Sequence, residues 1–113
     1  MPRDQVYLLD ILQAARLAVS YVEGVQAEAF LRDTRLQDSV IRRIEIIGEA
    51  ARRVSEQMKS SHPELPWEEM VGMRNLMIHE YDDVDLGIVW ETVQNDLPGL
   101  IVRMAPLVHE EGQ

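Results

Sequence analysis

The stretch LQDSVIRRIEIIGEAARRVSEQMK, residues 36–59, decides the fold. Val40, Ile44, Ile47, Ala51, Val54 and Met58 alternate spacings of four and three. Such spacing lays a continuous apolar stripe along one side of a helix. Arg42, Arg43, Arg52 and Arg53 fall mostly off that stripe. The pattern predicts one long helix from about Leu36 to Lys59, the spine of a helical protein. Gly48 sits inside it. An internal glycine costs roughly 1 kcal/mol of helix propensity against alanine, so its expected use is close approach of another helix or another chain.

Outward from the spine, the chain continues in helical periods. Val6, Leu9, Ile11, Leu12, Ala15, Ala18, Val19 and Val22 predict a first helix from Asp4, read as its N-cap, to about Val22. Gly24 is its expected stop. A short helical piece around Gln26–Leu31 follows, and Asp33-Thr34 offers capping side chains for the spine. On the far side, the run from Ser60 to Pro66 carries two prolines and ends the spine. A helix then runs from about Trp67 to Ile78 or His79, with Glu68 and Glu69 in its first turn, where the helix dipole favours acids. Asp83 or Asp85 is expected to cap a helix reaching about Asn95, and Pro98 to open a last one carrying Leu100, Ile101, Met104 and Leu107. No useful β alternation, Asn-Gly or Asp-Gly hairpin, or internal repeat occurs. The expected fold is all-α: an antiparallel bundle of about five helices in one domain spanning residues 1–113.

Composition narrows the class. Apolar residues make up 46% of 113, enough for a packed core. With no cysteine, disulfide frameworks and thiolate metal sites are excluded. No apolar run reaches the roughly 18–20 residues of a membrane span, and the start Met1-Pro2-Arg3-Asp4 lacks a signal peptide's apolar segment. A soluble cytoplasmic protein without membrane contact is expected. The formal charge of −9 argues against broad non-specific nucleic-acid binding. That charge is uneven. Residues 32–59 hold seven basic against five acidic side chains, whereas residues 64–96 hold nine acids against Arg74 alone. Either a basic partner surface meets the acidic half, or both halves are simply solvated.

One stretch is unusual for a plain bundle: Met73-Arg74-Asn75-Leu76-Met77-Ile78-His79-Glu80-Tyr81. Arg74 and His79 are five apart, about 7.5 Å of rise and ~140° of rotation on an ideal helix. They do not share a face, yet a long arginine can reach a groove near the helix end. The chemistry suits RNA cleavage. Attack by a 2′-hydroxyl needs one proton removed and another delivered to the leaving 5′-oxygen, and histidine titrates in the right range. A planar guanidinium stabilises the charge that builds on the phosphoryl oxygens. No metal or other cofactor is required. One chain supplies one such arginine and histidine, so the second proton-transfer group must come from another chain, from Tyr81 or from water. A twofold dimer would supply it.

Arg74-Asn75-x3-His79 resembles the R-polar-x3-H ribonuclease motif of HEPN domains, and Arg74-x4-His79-x-Tyr81 resembles the HepT-like branch. Phe30-Leu31-x-Asp33, Ile46-Ile47-Gly48-Glu49-Ala50, Pro63-Glu64-Leu65-Pro66-Trp67, Val71-Gly72-Met73-Arg74-Asn75 and Val89-Trp90-x3-Gln94-Asn95-Asp96-Leu97-Pro98 fit the same branch, so the likeness spans roughly residues 4–105. The resemblance implies a HEPN-like homodimer with the motif at the dimer cleft. It implies a metal-independent ribonuclease toxin with Arg74 and His79 catalytic. The implied antitoxin is a minimal nucleotidyltransferase (MNT-type) that adenylylates the motif tyrosine, here Tyr81. An adenylate there would add bulk and negative charge beside Arg74 and His79 and repel the RNA backbone.

Plainer roles stand beside these. Arg74 can pair with Glu69, Glu80 or another surface acid, His79 can cap a helix end, and Tyr81 can be a half-buried tyrosine with a satisfied hydroxyl. Asn75 either orients the site or solvates a helix face. Glu49 is read as a supporting residue through a buried polar link towards Arg74, the alternative being exposure. The run Glu80–Asp85 lacks the spacing and central glycine of an EF-hand loop. Trp67, Trp90, Met70, Met73, Met77 and Met104 read as packing residues. The competing functional readings are a non-catalytic nucleotide- or RNA-binding subunit of a nucleotidyltransferase complex, and a ligand-free helical dimerisation module.

Overall fold

The computed structural model describes residues 3–77 and 83–109, apart from the side chains of residues 76 and 77. Helix α1 covers Arg3–Tyr21 and helix α3 covers Thr34–Arg53. Their mutual contact is the most extensive between the described helices. Leu8, Ile11, Leu12, Ala15 and Ala18 of α1 are buried with Val40, Ile44, Ile47 and Ala51 of α3. The alanines let the two helices lie close, and each fully buried Leu or Ile contributes about 1.5–3 kcal/mol of transfer energy. The chain leaves α1 through Gly24, whose φ of +75° lies in the left-handed region that glycine enters without strain. Helix α2, Ala27–Arg32, seats the fully buried Phe30 against Trp90, ring centroids 5.1 Å apart. Asp33 then caps α3, its Oδ1 accepting from the Leu36 N–H at 3.0 Å.

The single helix expected over residues 36–59 is two helices. Helix α3 stops at Arg53, Val54 is extended at φ −64° and ψ 138°, and a separate α4 runs Glu56–Ser61. Ser55 starts the second piece, its Oγ accepting from the Met58 N–H at 3.1 Å. The break is held from across the fold. The Asp4 carboxylate accepts both the Ser55 N–H at 2.8 Å and the Ser55 hydroxyl at 2.6 Å. Asp4 is therefore not the N-cap of α1, as its position suggested; it lies in the first turn and spends both oxygens on Ser55. The apolar stripe runs straight over the break, with Val54 buried and Met58 half-buried, which is why periodicity did not reveal it.

Helix α5 covers Trp67–Met77, and the Trp67 indole N–H donates to the His62 carbonyl at 2.9 Å, fixing its entry. Helix α6 covers Leu86–Glu91 and is capped by Asp85, whose Oδ1 accepts from the Ile88 N–H at 3.1 Å. Two helices separated at Pro98 were expected; instead a π-helical turn, Thr92–Asp96, joins α6 directly to α7, Leu97–Met104. Proline explains the widening. Pro98 has no N–H for the Gln94 carbonyl, and its ring would strike that carbonyl in a regular α-turn. The Leu97 N–H reaches back five residues to the Thr92 carbonyl, absorbing one extra residue without ending the helix. A 3₁₀ turn, Ala105–Leu107, follows. The buried Gln5 fastens this end to α1: its Nε2 donates to the Leu107 carbonyl at 3.0 Å and its Oε1 accepts from the His109 N–H at 2.9 Å.

The all-α bundle read from the sequence is the observed architecture, and the described residues contain no strand. None of their helices is long and apolar enough to cross a membrane. Met70, Met73 and Met104 are core residues, as read.

Candidate active site at the crossing of α3 and α5

Gly48 sets the geometry. A Cβ placed on it would stand 3.3 Å from the Met70 carbonyl oxygen and 3.5 Å from that of Val71. The close approach expected at this glycine is made by α5, whose backbone rests on α3 where a side chain is missing. One turn away, Arg74 Nε lies 3.5 Å from Glu45 Oε2. Residue 48 thus faces 70–71 while residue 45 faces 74, so the two helices run antiparallel through the crossing.

Arg74 projects from the last turn of α5. Its side chain is 53% exposed and Glu45's is 28% exposed, so the carboxylate sits in the surface while the guanidinium stands out from it. The pair engages Nε, and the terminal Nη nitrogens form no ion pair within the described residues. Five N–H groups in a rigid fork let arginine hold a carboxylate on one edge and offer the other to a phosphate.

Glu45 has a second neighbour. Its Oε1 lies 3.9 Å from Arg42 Nη1, which in turn lies 3.4 Å from Glu49 Oε1. Glu49, Arg42, Glu45 and Arg74 form a line of alternating charge from α3 onto α5. Glu49 itself is exposed and meets Arg42, so among the described residues its connection towards Arg74 runs through Arg42 and Glu45 at the surface, the exposed alternative and not the buried polar link. Among the plainer roles, surface pairing of Arg74 with an acid does occur, with Glu45 as the acid. Asn75 is exposed next to Arg74. His79 and Tyr81 lie outside the described residues.

Sequence reasoning missed Glu45. The signal was present in Gly48: once that glycine is taken as a crossing point with the 67–77 helix, the acid one turn before it falls opposite the arginine one turn after residues 70–71.

Comparison with known proteins places the chain. The family model described as Ribonuclease HepT-like matches residues 11–106. A protein of Thermococcus cleftensis named "Probable ribonuclease HepT" is 44% identical over 94 residues, covering 83% of this chain and 86% of that protein. A "Putative RNase" of Caldanaerobacter subterraneus subsp. tengcongensis is 34% identical over 111 residues, covering 98% of this chain and 99% of that protein. Another "Putative RNase", from Methanocaldococcus jannaschii, is 35% identical over 94 residues, 83% of this chain and 86% of its own length. No solved structure matches. The match over residues 11–106, together with relatives 44% and 34% identical over most of the chain, shows that the chain belongs to the ribonuclease HepT-like family.

Proposed function

We propose that this protein is a metal-independent endoribonuclease acting in the cytoplasm as the toxin of a HEPN/MNT toxin–antitoxin pair. Arg74 and His79 are its catalytic residues. Support comes from the family and from relatives whose names are ribonuclease names. The observation that carries the reading is Arg74, an exposed guanidinium at the end of α5 whose ion pair with Glu45 engages only its Nε.

In this reaction the 2′-hydroxyl of RNA attacks the adjacent phosphorus and the P–O5′ bond breaks, leaving a 2′,3′-cyclic phosphate and a 5′-hydroxyl. One proton leaves the 2′-oxygen and one arrives at the 5′-oxygen. His79 carries one of these transfers. Arg74 bonds the non-bridging oxygens as their charge grows. A second copy of the chain across a twofold axis supplies the other transfer group. Asn75, beside Arg74, orients the bound phosphate, and Glu49 supports the site through Arg42. The antitoxin is an MNT-type nucleotidyltransferase that adenylylates Tyr81, placing a phosphate where it competes with RNA for Arg74.

The test uses purified chain freed of any partner, with RNA in EDTA. Cleavage by the parent, and its loss in both Arg74→Ala and His79→Ala at unchanged helicity, is the expected result. Equal cleavage by parent and both variants overturns the assignment. RNA or nucleotide binding that weakens in the same variants, with no cleavage by the parent at any concentration, favours the non-catalytic binding subunit. Intact mass after co-expression with an MNT-type nucleotidyltransferase tests the modification: added adenylate that is absent in Tyr81→Phe is expected.

A further inference from the structure

Glu45 belongs to no motif named above, yet it is the acid that touches Arg74. We infer that Glu45 is the positioning residue of the catalytic arginine, and that Arg42, shared between Glu45 and Glu49, keeps this line of side chains from turning net negative beside the phosphate site. The inference rests on the ribonuclease reading of Arg74.

Three observations lead there. Glu45 is the less exposed member of the pair, seated on α3 beside the Gly48 crossing, so it is the fixed group and Arg74 the long, mobile one. Its contact is to Nε, the nitrogen nearest the backbone. Fixing Nε restrains the last torsions of the side chain and leaves the outer edge of the fork for phosphate oxygens. Finally, its two oxygens are divided between two cations, Oε2 to Arg74 and Oε1 to Arg42. A lone carboxylate beside Arg74 would cancel the charge that draws RNA; with Arg42 present the line Glu49–Arg42–Glu45–Arg74 is neutral, and without it the line would carry −1.

The pair does little for stability. At this exposure a salt bridge is worth about 0–1 kcal/mol. Its value lies in arrangement, because a reacting group misplaced by about 1 Å can cost a hundredfold in rate. Charge and position then act in opposite directions, which makes the role measurable. Glu45→Gln removes a negative charge beside the phosphate site, so RNA affinity holds or improves, most visibly at low salt. The same change loosens Nε, so kcat falls.

The experiment measures single-turnover cleavage and RNA affinity for the parent, Glu45→Gln, Arg42→Gln and Arg74→Ala, together with the Nε–Hε resonance of Arg74, identified by its absence in Arg74→Lys. Glu45→Gln is expected to lower kcat roughly ten- to a hundredfold without weakening RNA affinity, and to move the Arg74 Nε–Hε resonance to the position of free arginine. Arg42→Gln is expected to weaken RNA binding, most visibly at low salt. If Glu45→Gln keeps the parent's kcat, or if its loss is entirely in KM, the positioning role is overturned while the function stands. An Arg74 resonance unchanged by Glu45→Gln also overturns it. A parent that cuts no RNA overturns the ribonuclease reading itself, and the resonance reports separately on the contact.

Discussion

Gly48 offers the sharpest test of how the fold places Arg74. Replacing it by alanine adds one methyl carbon 3.3 Å from the Met70 carbonyl oxygen and 3.5 Å from that of Val71. Both neighbours are backbone, so neither can swing away; α5 must shift by a few tenths of an ångström. Overpacking of this kind costs about 1–3 kcal/mol, while the gain in helix propensity returns about 1 kcal/mol. The net expectation is a loss of about 0–2 kcal/mol. Gly72 provides the control. It lies within α5, and a Cβ there would meet nothing within 4 Å. Gly72→Ala should therefore show the propensity gain alone, stabilising by up to about 1 kcal/mol. The two variants differ by the packing cost, about 1–3 kcal/mol, or roughly 3–15 °C in Tm for a domain of this size. Thermal and urea unfolding of both, monitored by circular dichroism, measures the difference. Equal stabilisation by Gly48→Ala and Gly72→Ala would refute the argument that α3 and α5 touch backbone to side-chain gap at this residue.

Other perturbations follow from single contacts. Gln5→Ala removes two hydrogen bonds from a buried site and leaves the Leu107 carbonyl and His109 N–H without their partner, a loss of about 2 kcal/mol; amide exchange at His109 should accelerate with it. Asp4→Ala frees Ser55 and should cost about 1–2 kcal/mol in urea unfolding, with faster amide exchange at Ser55; unchanged exchange there would contradict the tether. Arg74→Ala should change stability by less than about 1 kcal/mol, because its ion pair is exposed, so any loss of RNA cleavage in that variant is chemical and not structural.

The parts of the fold set by local chemistry were legible in the sequence. Asp33 and Asp85 cap the helices they precede, Gly24 takes the left-handed turn, and the stripe from Val40 to Ala51 faces the core. What escaped depends on groups far apart in the chain or on a register choice. The break at Ser55 is enforced by Asp4, 51 residues earlier, while the apolar spacing continues unbroken past it. Pro98 correctly marked a disturbance, but periodicity does not distinguish a chain break from a π turn that absorbs one residue. At the candidate site, Arg74 was found because its motif is local. Glu45 was not, because its role comes only from the crossing at Gly48, and Glu49, inside the recognisable Ile-Gly-Glu-Ala block, drew the reading one turn too far.

The central claim is that the guanidinium of Arg74 serves metal-free transesterification of RNA. The measurement that reaches it most directly is mass analysis of a defined oligoribonucleotide after incubation with the purified chain in excess EDTA. Fragments ending in 2′,3′-cyclic phosphate and beginning with 5′-hydroxyl should form with the parent, vanish with Arg74→Ala, and fail to form at a position whose 2′-hydroxyl is methylated. Cleavage that survives methylation, or proceeds equally with Arg74→Ala, would contradict the account.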